Sequence, residues 1–259
     1  MDLGISGRKA LVCGASAGLG FACAQALARE GVELVIVART EGPLNDAAQS
    51  LAAQGSAPVH WVAADVTGAD GRARIFAAHR DFDIIVTNAG GPPPGDFRNW
   101  DRDTWLAALD ANMLAPIALI RAVVDGMMER GFGRIINITS SAVKAPVDGL
   151  GLSNGARSGL TGFVAGLARS TVARGVTINN LLPGTFDTQR LAGNFAAAAQ
   201  REGTDAASIR AQRIAKHPAR RLGQPEEFGA ACAFLCSAHA GYINGQNLLL
   251  DGGSFPGTM

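Results

Sequence analysis

The sequence predicts an α/β protein whose core is a doubly wound parallel sheet, covered by helices on both faces in a three-layer α/β/α arrangement. Short apolar runs rich in β-branched residues recur along the chain and are bounded by glycine or charge, as is typical of strands buried on both faces. Segments with helical spacing separate these runs, as βαβ units require. The 259 residues, 47% of them hydrophobic, suffice for a sizeable core, so we expect a single domain over residues 1–259.

Seven apolar runs are the predicted strands. In chain order they cover 9–14, 33–38, 59–64, 83–88, 134–139, 176–182 and 247–252. The helical patterns between them cover 18–30, 41–54, 103–130, 154–173 and 225–237.

Two segments interrupt this alternation. Residues 90–97 are too rich in proline for a strand or a helix, and they predict a stiff loop. Residues 184–224 form a long excursion between the last two strands. Because ligands of doubly wound sheets bind at the carboxyl ends of the strands, this excursion is interpreted as a substrate lid. A surface insertion without function is the alternative.

The composition favours a small-molecule ligand. A formal net charge of +1 gives no basic surface for nucleic acid or anionic membrane, and no uninterrupted apolar run approaches the roughly 20 residues of a membrane span. The four cysteines form no CxxC pair, so they are interpreted as packed apolar residues and no metal site is expected. No basic-then-apolar leader opens the chain. We therefore expect a soluble, reduced, cytoplasmic protein.

A glycine-rich loop follows the first predicted strand. Gly14, Gly18 and Gly20 stand directly before a helical pattern, with Ser16 and Leu19 among them. Glycine tolerates positive φ and lets backbone amides approach a pyrophosphate, while the last glycine permits close packing of the helix on the strand. Strand, glycine loop, helix and second strand together indicate a dinucleotide-binding Rossmann fold.

The end of the second strand indicates which dinucleotide binds. An NAD site places an acid here to bind the ribose 2′-hydroxyl, but this chain has Ala38 followed by Arg39. The guanidinium of Arg39 suits a 2′-phosphate. The prediction is NADP, with NAD as the alternative, since an arginine exposed at a strand end also fits some NAD binders.

Further motifs resemble the short-chain dehydrogenase/reductase family, from about residue 5 to residue 255. The cofactor positions that match are Asp65, Val66, Asn88, Ala89, Gly90, Pro183, Gly184 and Thr188. The resemblance implies that Asp65 and Val66 contact the adenine, and that Thr188 holds the nicotinamide carboxamide. It also implies a homotetramer.

The catalytic positions match the family only in part. Asn112 matches the asparagine of the water relay, and Ser140 the serine that holds the substrate oxygen. Thirteen residues after Ser140 the family carries Tyr-x-x-x-Lys, but this chain carries Ser153 and Arg157. Arg157 keeps a cation for the cofactor ribose. Ser153 is interpreted as holding a water or a substrate atom, and a water held by the two serines and Asn112 is the predicted substitute proton donor.

These features predict an oxidoreductase that transfers hydride between NADP(H) and a carbonyl, alcohol or imine substrate without the tyrosine acid. Two alternatives remain open. One is a catalytically silent, cofactor-binding subunit. The other is a non-redox enzyme on the same scaffold, as in halohydrin dehalogenases, which also use an arginine; those enzymes keep the tyrosine and lose the glycine loop, the reverse of this chain.

Overall fold

The protein contains one seven-stranded parallel sheet, described over residues 2–258 by a computed structural model. The strand order is β3-β2-β1-β4-β5-β6-β7. The strands are β1 (Lys9–Cys13), β2 (Glu33–Ala38), β3 (Val59–Ala63), β4 (Ile84–Thr87), β5 (Gly133–Ile138), β6 (Val176–Pro183) and β7 (Asn247–Leu250). Each lies within two residues of its prediction, and the predicted fold class is confirmed.

The helices cover both faces of the sheet. They are α1 (Gly18–Arg29), α2 (Glu41–Ala52), α3 (Ala69–Ala78), α4 (Arg102–Leu109), α5 (Ala115–Arg130), α6 (Gly151–Thr171), α7 (Gln189–Glu202), α8 (Ala206–Lys216) and α9 (Pro225–Cys236). Alternate residues of each strand point to opposite faces, so Val12 and Ile36 join one core cluster while Leu11 and Val35 join the other. Two cores, one on each side of the sheet, make the three layers.

The structure differs from the predicted helices at two places. The segment predicted as one helix over 103–130 is α4 and α5, joined by a wide turn of π-helix at Asp110–Leu114. Helix α3 was not predicted. Only Gly71 and Ile75 are buried within it, so its apolar spacing is too weak to detect. The helical run Arg102–Arg130 has an 18-residue window of mean hydropathy 1.6, which by length and composition alone also fits a membrane span, as core helices of globular proteins do.

The order of the strands reverses beside β1, where β2 lies on one side and β4 on the other. The loops after β1 and β4 therefore diverge to opposite faces and leave a crevice at the carboxyl edge of the sheet. Within the excursion 184–224, α7 and α8 form a pair of helices that pack on each other beside this edge. These loops and helices position the site.

Candidate active site

Two adjoining cavities form one cleft along the carboxyl edge of the sheet. Their volumes are about 380 Å³ and about 390 Å³, and both are lined by Asn88, Ala89 and Gly91 on the loop after β4. The first cavity lies over the ends of β2 and β3, and the second over the ends of β5 and β6. The two cavities lie on either side of the strand-order switch, where doubly wound sheets bind extended, two-part ligands.

The first cavity is lined by residues predicted to bind the cofactor. They are Gly14, Ser16, Arg39, Asp65, Val66 and Gly90. The carboxylate of Asp65 accepts hydrogen bonds from Thr67 N at 2.9 Å and from Thr67 Oγ1 at 2.7 Å, which lower the pKa of Asp65. No ion pair engages Arg39 within residues 2–258. The guanidinium is exposed, and its charge also contributes to lowering the pKa of Asp65 across the cavity.

The glycine loop fits a pyrophosphate. Gly14 has φ +60°, and a Cβ there would lie 2.7 Å from Asn88 Nδ2, which donates to the Gly14 carbonyl oxygen at 3.4 Å. Gly18 also has positive φ, and a Cβ at Gly20 would collide with the Gly14 carbonyl group. Helix α1 begins after Ala17, which offers no side-chain cap to the amides of the first turn. Those amides and the positive end of the helix dipole suit a bound diphosphate.

The second cavity contains the other half of the predicted site. Its lining includes Leu19, Ser140, Ser153, Arg157, Pro183, Gly184 and Thr188. Thr188 caps α7, where its Oγ1 accepts from Leu191 N at 3.3 Å and its own hydroxyl proton stays free to donate. A Cβ at Gly184 would lie 2.7 Å from the Asp251 Cα, so only glycine lets this loop pack against the chain after β7.

Ser140 and Ser153 place two hydroxyls at the end of β5. Ser140 Oγ accepts from Ala142 N at 3.1 Å in a short helical turn, which leaves its proton available for an acceptor in the cavity. Ser153 lies in the first turn of α6 and is buried where it lines the cavity. The pair can orient a polar oxygen but cannot act as an acid near neutral pH.

Arg157 forms the floor of this cavity one turn further along α6. Its Nη1 donates to the carbonyl oxygens of Ile138 at 2.8 Å and Thr139 at 2.7 Å, and its Nη2 donates to Ala89 at 3.4 Å. Its buried Nε has no hydrogen-bond partner. Burial, and then the charge of Arg190, lower the pKa of Arg157 to about 10, so the guanidinium remains a cation at neutral pH.

Comparison with known proteins places this cleft in a family. A family model described as enoyl-(acyl carrier protein) reductase matches residues 14–254. Dehydrogenase/reductase SDR family member 4 of Oryctolagus cuniculus is 32% identical over 255 residues, which is 96% of this chain and 94% of that protein. The chain belongs to the short-chain dehydrogenase/reductase family. The predicted resemblance is confirmed.

Two further relatives match this chain over nearly its whole length. Acetoacetyl-CoA reductase of Allochromatium vinosum is 33% identical over 96% of this chain and 98% of its own length. The structure of L-sorbose reductase from Gluconobacter frateurii, solved with NADPH and L-sorbose, superposes with a TM-score of 0.92 at 30% identity, covering 97% of this chain and 98% of that one. The protein is an oxidoreductase of this family.

Two positions of this short-chain dehydrogenase/reductase stand apart from the cleft. Asn112 lies in the wide turn between α4 and α5, buried, and does not line either cavity. Its Nδ2 donates to the Ala108 carbonyl at 3.2 Å, and its Oδ1 has no partner. The predicted water relay through Asn112 therefore stays a prediction. The one tyrosine, Tyr242, is fully exposed and lines neither cavity.

Within the excursion 184–224, the family resemblance pointed to Gly184 and Thr188 but not to the cavity-lining side chains of α7 and α8. Arg190, Leu191 and Asn194 on α7 and Arg213 on α8 line the cavity that holds Ser140. No family motif marks these positions. The signal that could have found them is the basic excess of the excursion, which carries seven basic and three acidic residues in a chain of net charge +1.

Proposed function

We propose that the protein is an NADP(H)-dependent reductase or dehydrogenase that transfers hydride to or from a carbonyl or imine carbon. One observation carries the proposal: two adjoining cavities lead from the glycine loop and Arg39 to Ser140, Ser153 and the buried Arg157. The NADPH bound to the related L-sorbose reductase supports the same cofactor here. Ala38 and the unpaired Arg39 favour the 2′-phosphate form over NAD.

The chain supplies binding groups along the whole cofactor. In this proposal, Arg39 binds the 2′-phosphate, and the first turn of α1 binds the pyrophosphate. Thr188 donates its free hydroxyl proton to the carboxamide, and the buried guanidinium of Arg157 provides a cation beside the ribose. A reduced nicotinamide bound there supplies a hydride to an electrophilic carbon.

Ser140 and Ser153 hold the substrate oxygen in this proposal. The Ser140 proton is free because its oxygen already accepts from Ala142, so the hydroxyl is oriented before the substrate enters. The charge of Arg157 lies below the same site and favours negative charge developing on that oxygen. Positioning and this electrostatic effect stand in for the missing tyrosine.

The proton comes from water in this proposal. The ionisable side chains that line the cavity of Ser140, among the described residues, are arginines, and an arginine does not release its proton near neutral pH. General acid catalysis is worth on the order of 10²–10⁴ in rate, so its loss slows the reaction without abolishing it. A substrate that needs little protonation, such as an activated carbonyl or a charged imine, fits this site.

The proposal also includes a cytoplasmic homotetramer. Its support is family resemblance together with exposed apolar side chains on the helices of one face, Leu114 before α5 (47% exposed) and Phe163 on α6 (36% exposed). Apolar side chains that neighbouring subunits could cover are consistent with assembly.

Hydride transfer from NADPH across a panel of ketones, activated carbonyls and imines tests the function. We expect turnover on activated substrates and little on simple ketones. Binding of NADPH without turnover on any member would favour a silent subunit. Failure to bind NADPH, with activity on a non-redox substrate, would contradict the proposal entirely.

A further inference from the structure

The half of the cleft that contains Ser140 and Ser153 carries an excess of positive charge. Its ionisable lining residues are Arg157, Arg190 and Arg213, and no carboxylate lines it within residues 2–258. An arginine side chain keeps its charge throughout the physiological pH range. This part of the cleft is therefore cationic, although the whole chain is nearly neutral.

Two other arginines of the excursion are neutralised within the protein. Arg210 on α8 forms an ion pair with Asp187 at 2.7 Å, and Arg221 forms one with Glu227 at 2.7 Å. None of these four residues lines the cavity of Ser140. Acidic partners are thus present near the lid, but they pair with arginines outside the cavity.

The two lid arginines that line the cavity have no such partner. Arg190 donates to the carbonyl oxygen of Gly91 at 3.3 Å, and neither Arg190 nor Arg213 forms an ion pair with a described residue. Both side chains are exposed to solvent in the open cleft. The planar fork of arginine matches the oxygens of a carboxylate or a phosphate, so both groups are available to an anionic ligand.

Arg157 adds an electrostatic reason for an anion at this place. It is buried at the floor, it has no carboxylate partner, and the charge of Arg190 contributes to lowering its pKa. The positive charges of Arg157 and Arg190 therefore repel each other across the cavity. An anion bound between them attracts both cations and offsets that repulsion.

The rest of the lining mixes polar and apolar residues, and large apolar side chains lie on two sides of it. Val147 and Leu150 contribute from the loop before α6, and Phe186 and Leu191 contribute from the lid. Val147 is 48% exposed, which is high for an apolar side chain beside a cleft. The cavity thus combines two serine hydroxyls, apolar patches from the loop before α6 and from the lid, and two lid cations without an ion-pair partner among the described residues.

We propose that Arg190 and Arg213 bind a carboxylate or phosphate group of the substrate, whose apolar spacer crosses the cavity from the reacting carbon. The substrate class is then an oxo acid or an oxo phosphate. This inference rests on the proposed reductase function, since that function places the reacting carbon at Ser140 and Ser153.

The pyrophosphate of the cofactor is the competing anion. Leu19 at the start of α1 lines the same cavity as Arg190, so Arg190 alone could serve either anion. Arg213 lies on α8, which packs on α7, beyond the helix that carries Arg190. A cation on this second lid helix favours the substrate, and the variants below separate the two sources.

Calorimetry on the full chain saturated with oxidised NADP tests the inference without turnover. The probes are para-acetylbenzoate and its neutral counterpart para-acetylbenzamide, levulinate and its amide for a shorter spacer, and para-acetylphenyl phosphate for the phosphate group. We expect the acids to bind about tenfold more tightly than their amides, the scale of one charge-assisted hydrogen bond. Whichever of the carboxylate and phosphate probes binds with the higher affinity identifies the anionic group of the substrate.

Three variants assign the effect to residues. Arg190→Gln and Arg213→Gln should each weaken binding of the acids by about tenfold, while the affinities for the amides and for NADP stay unchanged. The matched control is Arg201→Gln, since Arg201 is exposed on α7 and lies outside the cavity. This control should change none of the affinities.

Several outcomes would overturn the inference. They are equal affinity within every acid and amide pair, no binding of any probe, or equal losses in the control variant.

A weaker affinity for NADP with an unchanged acid-to-amide ratio would assign the arginines to the pyrophosphate instead. Charge-selective binding by a protein that never oxidises NADPH would contradict the proposed function alone. If the enzyme reduces neutral ketones and binds the acids no more tightly than the amides, this inference alone is contradicted.

Discussion

The guanidinium of Arg157 donates from Nη1 to the carbonyl oxygen of Thr139, 2.7 Å away. The same nitrogen donates to Ile138 at 2.8 Å, so one side chain of α6 holds two successive carbonyls at the end of β5. These contacts explain how the protein retains a buried cation without a carboxylate: carbonyl oxygens provide the negative partial charges. The fork is also what separates arginine from lysine here, since an ammonium is a point charge with a different reach.

Arg157→Lys should therefore destabilise the protein. At least one carbonyl loses its donor in a buried setting, and leaving a buried polar group unpaired costs about 1–3 kcal/mol. Urea unfolding monitored by circular dichroism measures the change in the free energy of unfolding. Arg201→Lys, on the exposed face of α7, is the control and should leave stability unchanged. Equal stability of Arg157→Lys and the parent would show that the carbonyl contacts contribute little.

Restoring the family's catalytic pair should not restore family activity. In the double variant Ser153→Tyr, Arg157→Lys, the phenol occupies space next to Ser140 that we assign to a water or a substrate group, and the lysine loses the carbonyl contacts. We expect loss of the native activity with little gain on simple ketones, measured as NADPH oxidation across the substrate panel. A parent inert on every substrate beside an active double variant would identify the chain as a silent relative.

The cofactor preference should depend on Arg39. We expect NADPH to bind more tightly than NADH, and Arg39→Asp to reverse the preference, because a carboxylate repels the 2′-phosphate and accepts from a 2′-hydroxyl. The expected loss for NADPH is about 1–3 kcal/mol, the scale of one charge-assisted pair. Fluorescence titration measures both affinities. Equal affinities of the parent for the two cofactors would contradict the NADP assignment.

The pH profile of kcat/KM should show no ionisation of a catalytic acid near neutral pH. Serine hydroxyls do not ionise near neutrality, and the pKa of Arg157 is lowered only to about 10. On a non-ionising substrate we expect kcat/KM to be constant between about pH 6 and pH 9. It should fall as the pH rises through the pKa of Arg157, because the cation is present below that value and lost above it. Ser153→Tyr, which adds a phenol beside Arg157, is the comparison. A change of kcat/KM with pH in the parent protein between about pH 6 and pH 9 would contradict this prediction, because it would require an acid that does not line the described cavity.

Assembly should depend on the exposed apolar face of α6. Light scattering at micromolar concentration is expected to give the mass of a tetramer. Replacing Phe163, which is 36% exposed, with Arg should yield smaller species, since a charge buried in an apolar interface is costly. Tyr242→Arg, at a fully exposed position between α9 and β7, is the control for the added charge alone. A monomeric parent would contradict the homotetramer.

The sequence by itself determined the architecture and named many of the residues that line the proposed cofactor cleft. Strand positions follow from β-branched apolar runs, and their alternation with helical spacing leaves few other arrangements. Gly14 and Arg39 were found because local backbone geometry and charge at a strand end are properties of short segments. Helix α3 and the wide turn at Asp110–Leu114 were missed, because weak amphipathicity and a single extra residue in a helical turn leave no clear pattern.

The tertiary structure alone decided how charges meet across the cleft. Arg157 and Arg190 are 33 positions apart, and their proximity depends on how α7 returns over the end of β5. Likewise, Arg210 and Arg213 differ by three positions on one helix, yet one pairs with Asp187 and the other lines the cavity unpaired. Pairing and burial depend on which elements pack together, and long-range packing sets them rather than any local pattern of residues.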